Sequence, residues 1–292
     1  MQGKDRILIT GADGLLGSSL LNELKNYYDI TAVVRKPSSK PLSKVSYTII
    51  DLSTQWEEKI LPPSVDIIIH LAQSTHFRDF PNKAIDVFRV NVDSTARLLD
   101  YGRRTGAKKF IYASSGGVYG KGPSAFCEES SINRNQNLGY YLGSKLCGEV
   151  LVESYAALME VIILRPFFMY GANQRRSMLI PRLVENVRSG IPISLQGEKG
   201  IRINPVHVED AVRVVKKCLK QPHSQILNIA GPDIVSIKEI AEVIGLHLRK
   251  KPVFKSVSGE PLNVIGDNKR MLSLFTRPLL SIKEGVVDVI TA

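Results

Sequence analysis

Short apolar runs and longer stretches with apolar residues at helical spacing alternate along the first half of the chain. Arg6–Thr10, Ile30–Val34, Val45–Ile50, Asp66–His70, Lys109–Ala113 and Val161–Leu164 read as six strands. Asp66–His70 is nearly continuous in apolar side chains, as in a parallel strand covered on both faces. Between the runs, Leu15–Lys25 repeats leucine at helical spacing. Asn82–Thr105 predicts one long helix, with Ala84, Val87, Phe88, Val92, Ala96 and Leu99 on its apolar face and Gly106 as its stop. A further helix carries Tyr141 and Lys145. Strands and helices alternating at these intervals predict an α/β chain with a doubly wound parallel sheet.

After Pro166 the rhythm changes. A helix is expected over Leu179–Ser189, a short extended segment over Pro192–Leu195, then a glycine-bounded loop, Gly197–Gly200. Pro205–Val208 reads as extended and Glu209–Leu219 as helical. Ile226–Ile229 is a last apolar strand able to rejoin the sheet. A helix over Ile237–His247 opens at Ser236 with Glu239 three residues on, a capping-box pattern; Pro252–Phe254 and two short helices complete the chain. The expected organisation is a sheet domain over residues 1–166, joined by 205–230, and a smaller mixed α/β substrate region from 167–204 and 231–292.

Composition narrows the class. The 292 residues are 43% hydrophobic and 23% charged, the balance of a globular protein. Met1-Gln2-Gly3-Lys4-Asp5-Arg6 runs into a strand without the apolar region of a signal peptide, and no apolar run reaches membrane-spanning length. Cys127, Cys147 and Cys218 are scattered without metal-ligand spacing, which suggests a reduced compartment and a cytoplasmic protein. The net charge of +11 favours anionic ligands. Its basic residues are dispersed and not interleaved with aromatics, which argues against a nucleic-acid partner.

The chemistry-bearing residues fall at the turns of this pattern. Thr10-Gly11-Ala12-Asp13-Gly14-Leu15-Leu16-Gly17 sits between a strand and a helix, the context of a phosphate-binding fingerprint. Gly11 permits the tight turn, Gly14 lets backbone approach a pyrophosphate, and Gly17 allows close helix–strand packing, with helix N-terminal amides facing the anion. Arg35 follows the second strand, where an arginine suits a 2′-phosphate and tilts the expectation to NADP over NAD. Tyr141 and Lys145, four residues apart, share a helix face. An ammonium there is expected to favour the phenolate, lowering the tyrosine's pKa for proton transfer at an alcohol or carbonyl. Ser114 and Ser115 follow the fifth strand, at the carboxyl ends where open α/β sheets gather their catalytic groups.

Together these residues resemble the extended short-chain dehydrogenase/reductase family, the NAD-dependent epimerase/dehydratase group that acts on nucleotide-sugars. The likeness covers nearly the whole chain: the glycine turn at 11–17, Asp51-Leu52 as an adenine-contacting pair, His70-Leu71-Ala72, Asn91-Val92 with Thr95, Ser115 before Val118-Tyr119-Gly120, and Tyr141, Lys145 and Glu149 on one helix. Val206-His207-Val208-Glu209-Asp210 and Asn228-Ile229-Ala230-Gly231 are similar to later landmarks. The resemblance implies a Rossmann-type sheet with Tyr141 as acid/base. Lys145 would bind the nicotinamide ribose and depress the tyrosine's pKa, and Ser115 would hydrogen-bond the reacting oxygen. NAD or NADP would be held by Gly11, Asp13, Gly14, Leu15, Leu16, Gly17, Arg35, Asp51, Leu52, Leu71, Ala72, Asn91, Ala113, Tyr141, Lys145 and Pro166. Substrate would be met by Ser115, Gly116, Tyr141, Phe168, Arg175, Arg176 and Arg202. It also implies a homodimer through the helices at 82–105 and 140–157.

The chain departs from the family at several places. Arg165-Pro166-Phe167-Phe168-Met169-Tyr170-Gly171 has Phe168 where the family has an asparagine that helps hold the nucleotide-sugar. Arg202 precedes His207 by five residues where four is usual, and Arg175 and Arg176 are alternative clamps for a diphosphate. Gly116-Gly117 replace an Asp-Glu pair associated with dehydration, which makes dehydration the least favoured of the family's reactions. The resulting expectation is an NAD(P)-dependent epimerase or reductase of a nucleotide-sugar. The alternatives are an NADPH-dependent reductase of a non-nucleotide carbonyl, and a non-catalytic dinucleotide-binding protein serving as redox sensor or RNA-associated scaffold.

Overall fold

The computed structural model describes residues 4–37, 40–133 and 135–292; the first three residues of the amino-terminal stretch discussed above lie outside them. In chain order the strands are β1 (Arg6–Thr10), β2 (Asp29–Val34), β3 (Val45–Ile49), β4 (Ile67–His70), β5 (Lys109–Ala113), β6 (Glu160–Pro166), β7 (Ile193–Gln196), β8 (Arg202–Ile203), β9 (Gln225–Ile229), β10 (Val235–Ser236) and β11 (Phe254–Val257). The α-helices are α1 (Leu15–Leu24), α2 (Ala84–Phe88), α3 (Ser94–Thr105), α4 (Gly139–Glu153), α5 (Leu179–Ser189), α6 (Val208–Cys218), α7 (Ile237–Leu248), α8 (Lys269–Leu272) and α9 (Ile282–Thr291).

Seven strands form one parallel sheet in the order β3-β2-β1-β4-β5-β6-β9, so the chain moves outward from β1 in one direction and then in the other. The register sets Ile7 beside Ile30 and Ile67, and Ile111 beside Ile69 and Ile162. These central strands are buried along their length because helices cover the sheet, with α1 on β2, α3 on β4 and α4 on β5. The doubly wound α/β fold is therefore the one expected from the apolar runs.

Contacts divide the chain into two compact units. The first holds residues 1–118, 134–165 and 215–227; the second holds 119–133, 166–214 and 228–292. The segments 119–133 and 205–214 go with the second unit, whereas sequence reading grouped them with the sheet domain. In the first unit Leu8, Ile68, Leu99, Phe110 and Ile163 are central to the core. Lys109 is buried in it as well. Its ammonium donates to the carbonyls of Cys218, Leu219 and Gln221 at 2.9, 2.9 and 2.6 Å, so a cation caps the carboxyl end of α6. In the second unit α5, α7 and α9 pack on one another around Leu183, Val187, Ile240, Ile244 and Val286. Strands β7 and β11 pair in parallel and β8 and β10 antiparallel. Ser236–Glu239 and Ser281–Glu284 form complete capping boxes on α7 and α9.

Two expectations on local structure are corrected. The helix expected over 82–105 starts at Ala84, and a π turn over Arg89–Asp93 separates α2 from α3. The segment Pro205–Val208, expected to be extended throughout, is so only up to His207, which forms a bridge to Tyr170, because Val208 already opens α6.

Candidate active site

The turn between β1 and α1 is closed by backbone contact. Gly11 adopts a φ of +64°, and a Cβ on it would lie 2.8 Å from the Ala72 nitrogen. A Cβ on Gly17 would fall 2.3 Å from the Gly11 carbonyl oxygen. Glycine is therefore required at both positions, the first by conformation and the second by approach. Gly14 caps α1 with extended backbone and no side-chain hydrogen bond, which leaves first-turn amides for an external anion. A dinucleotide pyrophosphate fits this cradle.

Further along the same strand ends, Arg35 is exposed after β2 and donates weakly to the Thr75 hydroxyl at 3.4 Å. Asp51, after β3, accepts from the Ser53 hydroxyl at 2.7 Å and from its amide at 2.9 Å. Those two bonds hold the carboxyl below its ordinary range, and the charge of Arg35 contributes, so Arg35 and Asp51 lie in each other's field. Leu52 is buried. The amides of Leu71 and Ala72 donate to the Thr10 carbonyl and hydroxyl. His70 is fully buried between the Thr10 and Thr95 hydroxyls at 2.6 and 3.0 Å. Burial, helped by the charge of Lys145, lowers its pKa to about 3 and keeps it neutral.

Ser115, Tyr141 and Lys145 come together in the first unit. Helix α4 presents Tyr141 and Lys145 one turn apart, and Ser115 follows β5, near enough to the Tyr141 phenol for its hydroxyl to favour the phenolate. The phenol itself donates to Gln73 Oε1 at 2.7 Å. Gly117 lets α4 close on this strand end, since a Cβ there would sit 2.9 Å from Leu142 Cδ2; the neighbouring Gly116 is buried. Lys145 is 1% exposed, and its ammonium donates to the Ala113 carbonyl at 2.9 Å with the Tyr112 ring 5.2 Å away. Burial brings the lysine down to about 7, against the opposing pull of Glu149.

The phenol is corrected in direction. Lys145 was expected to lower the Tyr141 pKa, but burial raises it above the ordinary tyrosine range, and the opposing influence of the Ser115 hydroxyl only partly offsets this. Desolvation of a phenolate outweighs one hydroxyl donor, while the ammonium is spent on the Ala113 carbonyl.

Asn91 was expected on the cofactor, yet it is fully buried and uses its carboxamide inside the protein. Its Oδ1 accepts from the Ser74 amide at 3.1 Å and its Nδ2 donates to the Ser144 hydroxyl at 2.9 Å. The π turn carries this residue into the core. Glu149, one turn beyond Lys145, forms a bidentate pair with Arg165 at 2.6 and 3.0 Å, both side chains buried. Gln73 and Ser144 were not singled out from sequence. The rule that functional groups gather beyond strand carboxyl ends applies to Gln73 as much as to Ser115. Ser114 Oγ is buried and has no hydrogen-bond partner among the described residues.

The remaining expected residues lie at or beyond the end of β6. Pro166 is half-buried. Phe168 has a φ of +46°, a left-handed conformation that asparagine tolerates better than phenylalanine. Arg175, Arg176 and Arg202 are exposed in the second unit. His207 Nε2 lies 3.3 Å from Asp288 Oδ2, with Glu209 nearby. The Glu209 amide donates to His207 Nδ1 at 3.4 Å. Among the described residues no helix is long and apolar enough to cross a membrane.

Comparison with known proteins identifies the family. The NAD dependent epimerase/dehydratase family profile matches residues 7–230. An uncharacterized UDP-glucose epimerase, YtcB, of Bacillus subtilis is 28% identical over 98% of this chain and 96% of its own. The dTDP-4-dehydro-6-deoxyglucose reductase of Escherichia coli is 27% identical over 98% and 97%. The structure of MoeE5 in complex with UDP-glucuronic acid and NAD superposes with a TM-score of 0.84, at 27% identity over 98% of both chains. The chain belongs to the NAD dependent epimerase/dehydratase family, within the extended short-chain dehydrogenases/reductases.

Proposed function

We propose that the protein is an NAD(P)-dependent oxidoreductase or epimerase that acts on a nucleotide-sugar, with Tyr141 as acid/base. The grouping of Ser115, Tyr141 and Lys145 at one strand end carries this reading. The dinucleotide is assigned to the turn Gly11–Gly17, with Asp13, Leu15 and Leu16, and to Arg35, Asp51, Leu52, Leu71, Ala72, Ala113 and Pro166. When bound, its nicotinamide ring supplies acceptance and donation of hydride. Tyr141 moves the proton of the reacting oxygen, Ser115 orients that oxygen and stabilises its developing charge, and Lys145 holds the neighbouring hydroxyls. Arginines 175, 176 and 202 of the second unit are assigned to the substrate's diphosphate.

On cofactor choice, exposed Arg35 supports NADP, while MoeE5 was solved with NAD. A second reading, reduction of a smaller carbonyl, is favoured by Phe168 in place of the family's asparagine. We extend the proposal to a homodimer through α2, α3 and α4, which expose Ile85, Phe88 and Val150.

The test begins with denaturation of freshly purified protein, identification of any released dinucleotide, and titration of the emptied protein with NAD(H) and NADP(H). Retained NAD near one per chain would support an epimerase that recycles its cofactor and sink the NADP assignment of Arg35. Preference for NADPH would support a reductase. Binding of neither would overturn the proposed function.

A further inference from the structure

We propose that Gln73 is a positioning residue for Tyr141: its carboxamide oxygen takes the phenol's hydrogen bond and biases that side chain toward its protonated form. The inference rests on the reading of Tyr141 as the acid/base and adds a residue to it. The bond from the Tyr141 phenol to Gln73 Oε1 is 2.7 Å, the ordinary length for an O–H donor. An acceptor on the neutral form holds the proton where it is, whereas the Ser115 hydroxyl acts in the opposite sense.

The placement of Gln73 is built into the fold. The next residue, Ser74, is buried; its amide donates to Asn91 Oδ1, Asn91 Nδ2 donates to Ser144 Oγ, and Ser144 Oγ donates to the Tyr141 carbonyl at 2.7 Å. One hydrogen-bonded chain therefore ties the backbone beside Gln73 to the backbone of Tyr141, through a residue that the π turn delivers. π turns of this kind are frequent at functional sites. Phe77 from the same loop packs on the Tyr141 ring at 5.1 Å, and Phe80 stacks on Tyr140 at 5.0 Å. The loop thus both desolvates the phenol and supplies its acceptor.

Other charged and titratable groups around the phenol are accounted for. On α4 they are Lys145, with its ammonium on the Ala113 carbonyl, and Glu149, paired with Arg165. Ser115 follows β5, and Tyr112 on that strand interacts electrostatically with Tyr141. The loop contributes Arg78, over the Phe77 ring at 4.9 Å, and the pair His76–Asp79 at 2.8 Å. None of these offers the phenol a second acceptor at hydrogen-bond distance among the described residues.

The test replaces Tyr141 by a fluorinated tyrosine, whose more acidic phenol titrates in a range the protein tolerates, and follows its fluorine resonance against pH. The measurement is made in the otherwise unaltered chain, in Gln73→Leu and in Gln73→Glu, with circular dichroism confirming that each is folded. Gln73→Leu removes the acceptor and is expected to move the midpoint down. Gln73→Glu adds a like charge beside the phenolate and is expected to move it up by at least about one pH unit. Any other pattern, including two unmoved midpoints, overturns the proposal. The readout needs no turnover, so inactivity toward every nucleotide-sugar would refute the proposed function and leave this result standing.

Discussion

Replacing Glu149 by glutamine removes one charge from a pair whose side chains are 2% and 4% exposed. The two bonds, at 2.6 and 3.0 Å, join α4 to β6 directly behind Lys145. Breaking a buried pair on one side costs about 3–5 kcal/mol, because the remaining charge stays desolvated without its counter-ion. Glu153, one turn further on, also feels the charge of Arg165 and supplies partial compensation. The low end, about 3 kcal/mol, is therefore expected. For a domain of this size that corresponds to a fall in Tm of roughly 6–12 °C. Thermal and urea unfolding monitored by circular dichroism measure it, with the double variant Glu149→Met/Arg165→Met as control. Replacing the whole pair by apolar side chains is expected to recover stability to within about 1 kcal/mol of the natural chain. A single variant that loses less than about 1 kcal/mol, or a double variant worse than the single one, refutes the reasoning. A linked effect is expected at Lys145: Glu149 is what raises its pKa against burial, so the ammonium of the glutamine variant deprotonates at lower pH.

Three further outcomes follow from the same geometry. Lys145→Met is expected to stabilise the protein while abolishing activity. The ammonium's folded pKa of about 7 lies below its ordinary 10.5, so its burial penalty is full at pH below 7 and fades between 7 and 10.5. The gain in Tm should accordingly be larger in acid than in alkali, and an equal gain at both ends contradicts the account. Gly17→Ala drives a methyl to 2.3 Å from the Gly11 carbonyl, against backbone that cannot swing away. A loss of about 1–3 kcal/mol and of dinucleotide affinity is expected by unfolding and titration, with a milder effect for Gly14→Ala, where the nearest atom is 3.1 Å away. Phe168→Asn relieves a left-handed phenylalanine worth about 1–2 kcal/mol, offsetting the lost aromatic contacts, so its Tm should stay close to that of the natural chain while Phe168→Val falls well below it.

Strands β1, β4 and β5 were legible because both of their faces are buried and their apolar runs are unbroken. The start of α7 was legible because Ser236 and Glu239 announce a cap in their chemistry. The break at Arg89–Asp93 was not. A π turn inserts one residue's worth of backbone while preserving an apolar face, and helical periodicity over 82–105 does not register it. Two-residue strands such as β8 and β10 are too short to leave a pattern. At the candidate site, the four-residue spacing indicated that Tyr141 and Lys145 share one helix, one turn apart, as α4 has them. The sense of the tyrosine's shift depends on desolvation by Phe77 and its neighbours, which are distant in sequence. Gln73 is a polar residue after a strand, and only the folded loop turns it onto the phenol. Asn91 was noticed for its motif, but its partners Ser74 and Ser144 come from two other elements.

The central claim is that Tyr141 moves a proton during hydride transfer on a nucleotide-sugar. The most direct measurement incubates the natural chain and Tyr141→Phe with NAD or NADP and a panel of UDP- and dTDP-sugars and their keto forms, and resolves the products by chromatography and NMR. Conversion of at least one sugar by the natural chain is predicted, falling by about 10²–10⁴ in Tyr141→Phe while dinucleotide affinity is retained. Equal turnover by the two proteins, or a natural chain that binds dinucleotide and converts none of the panel, would contradict it.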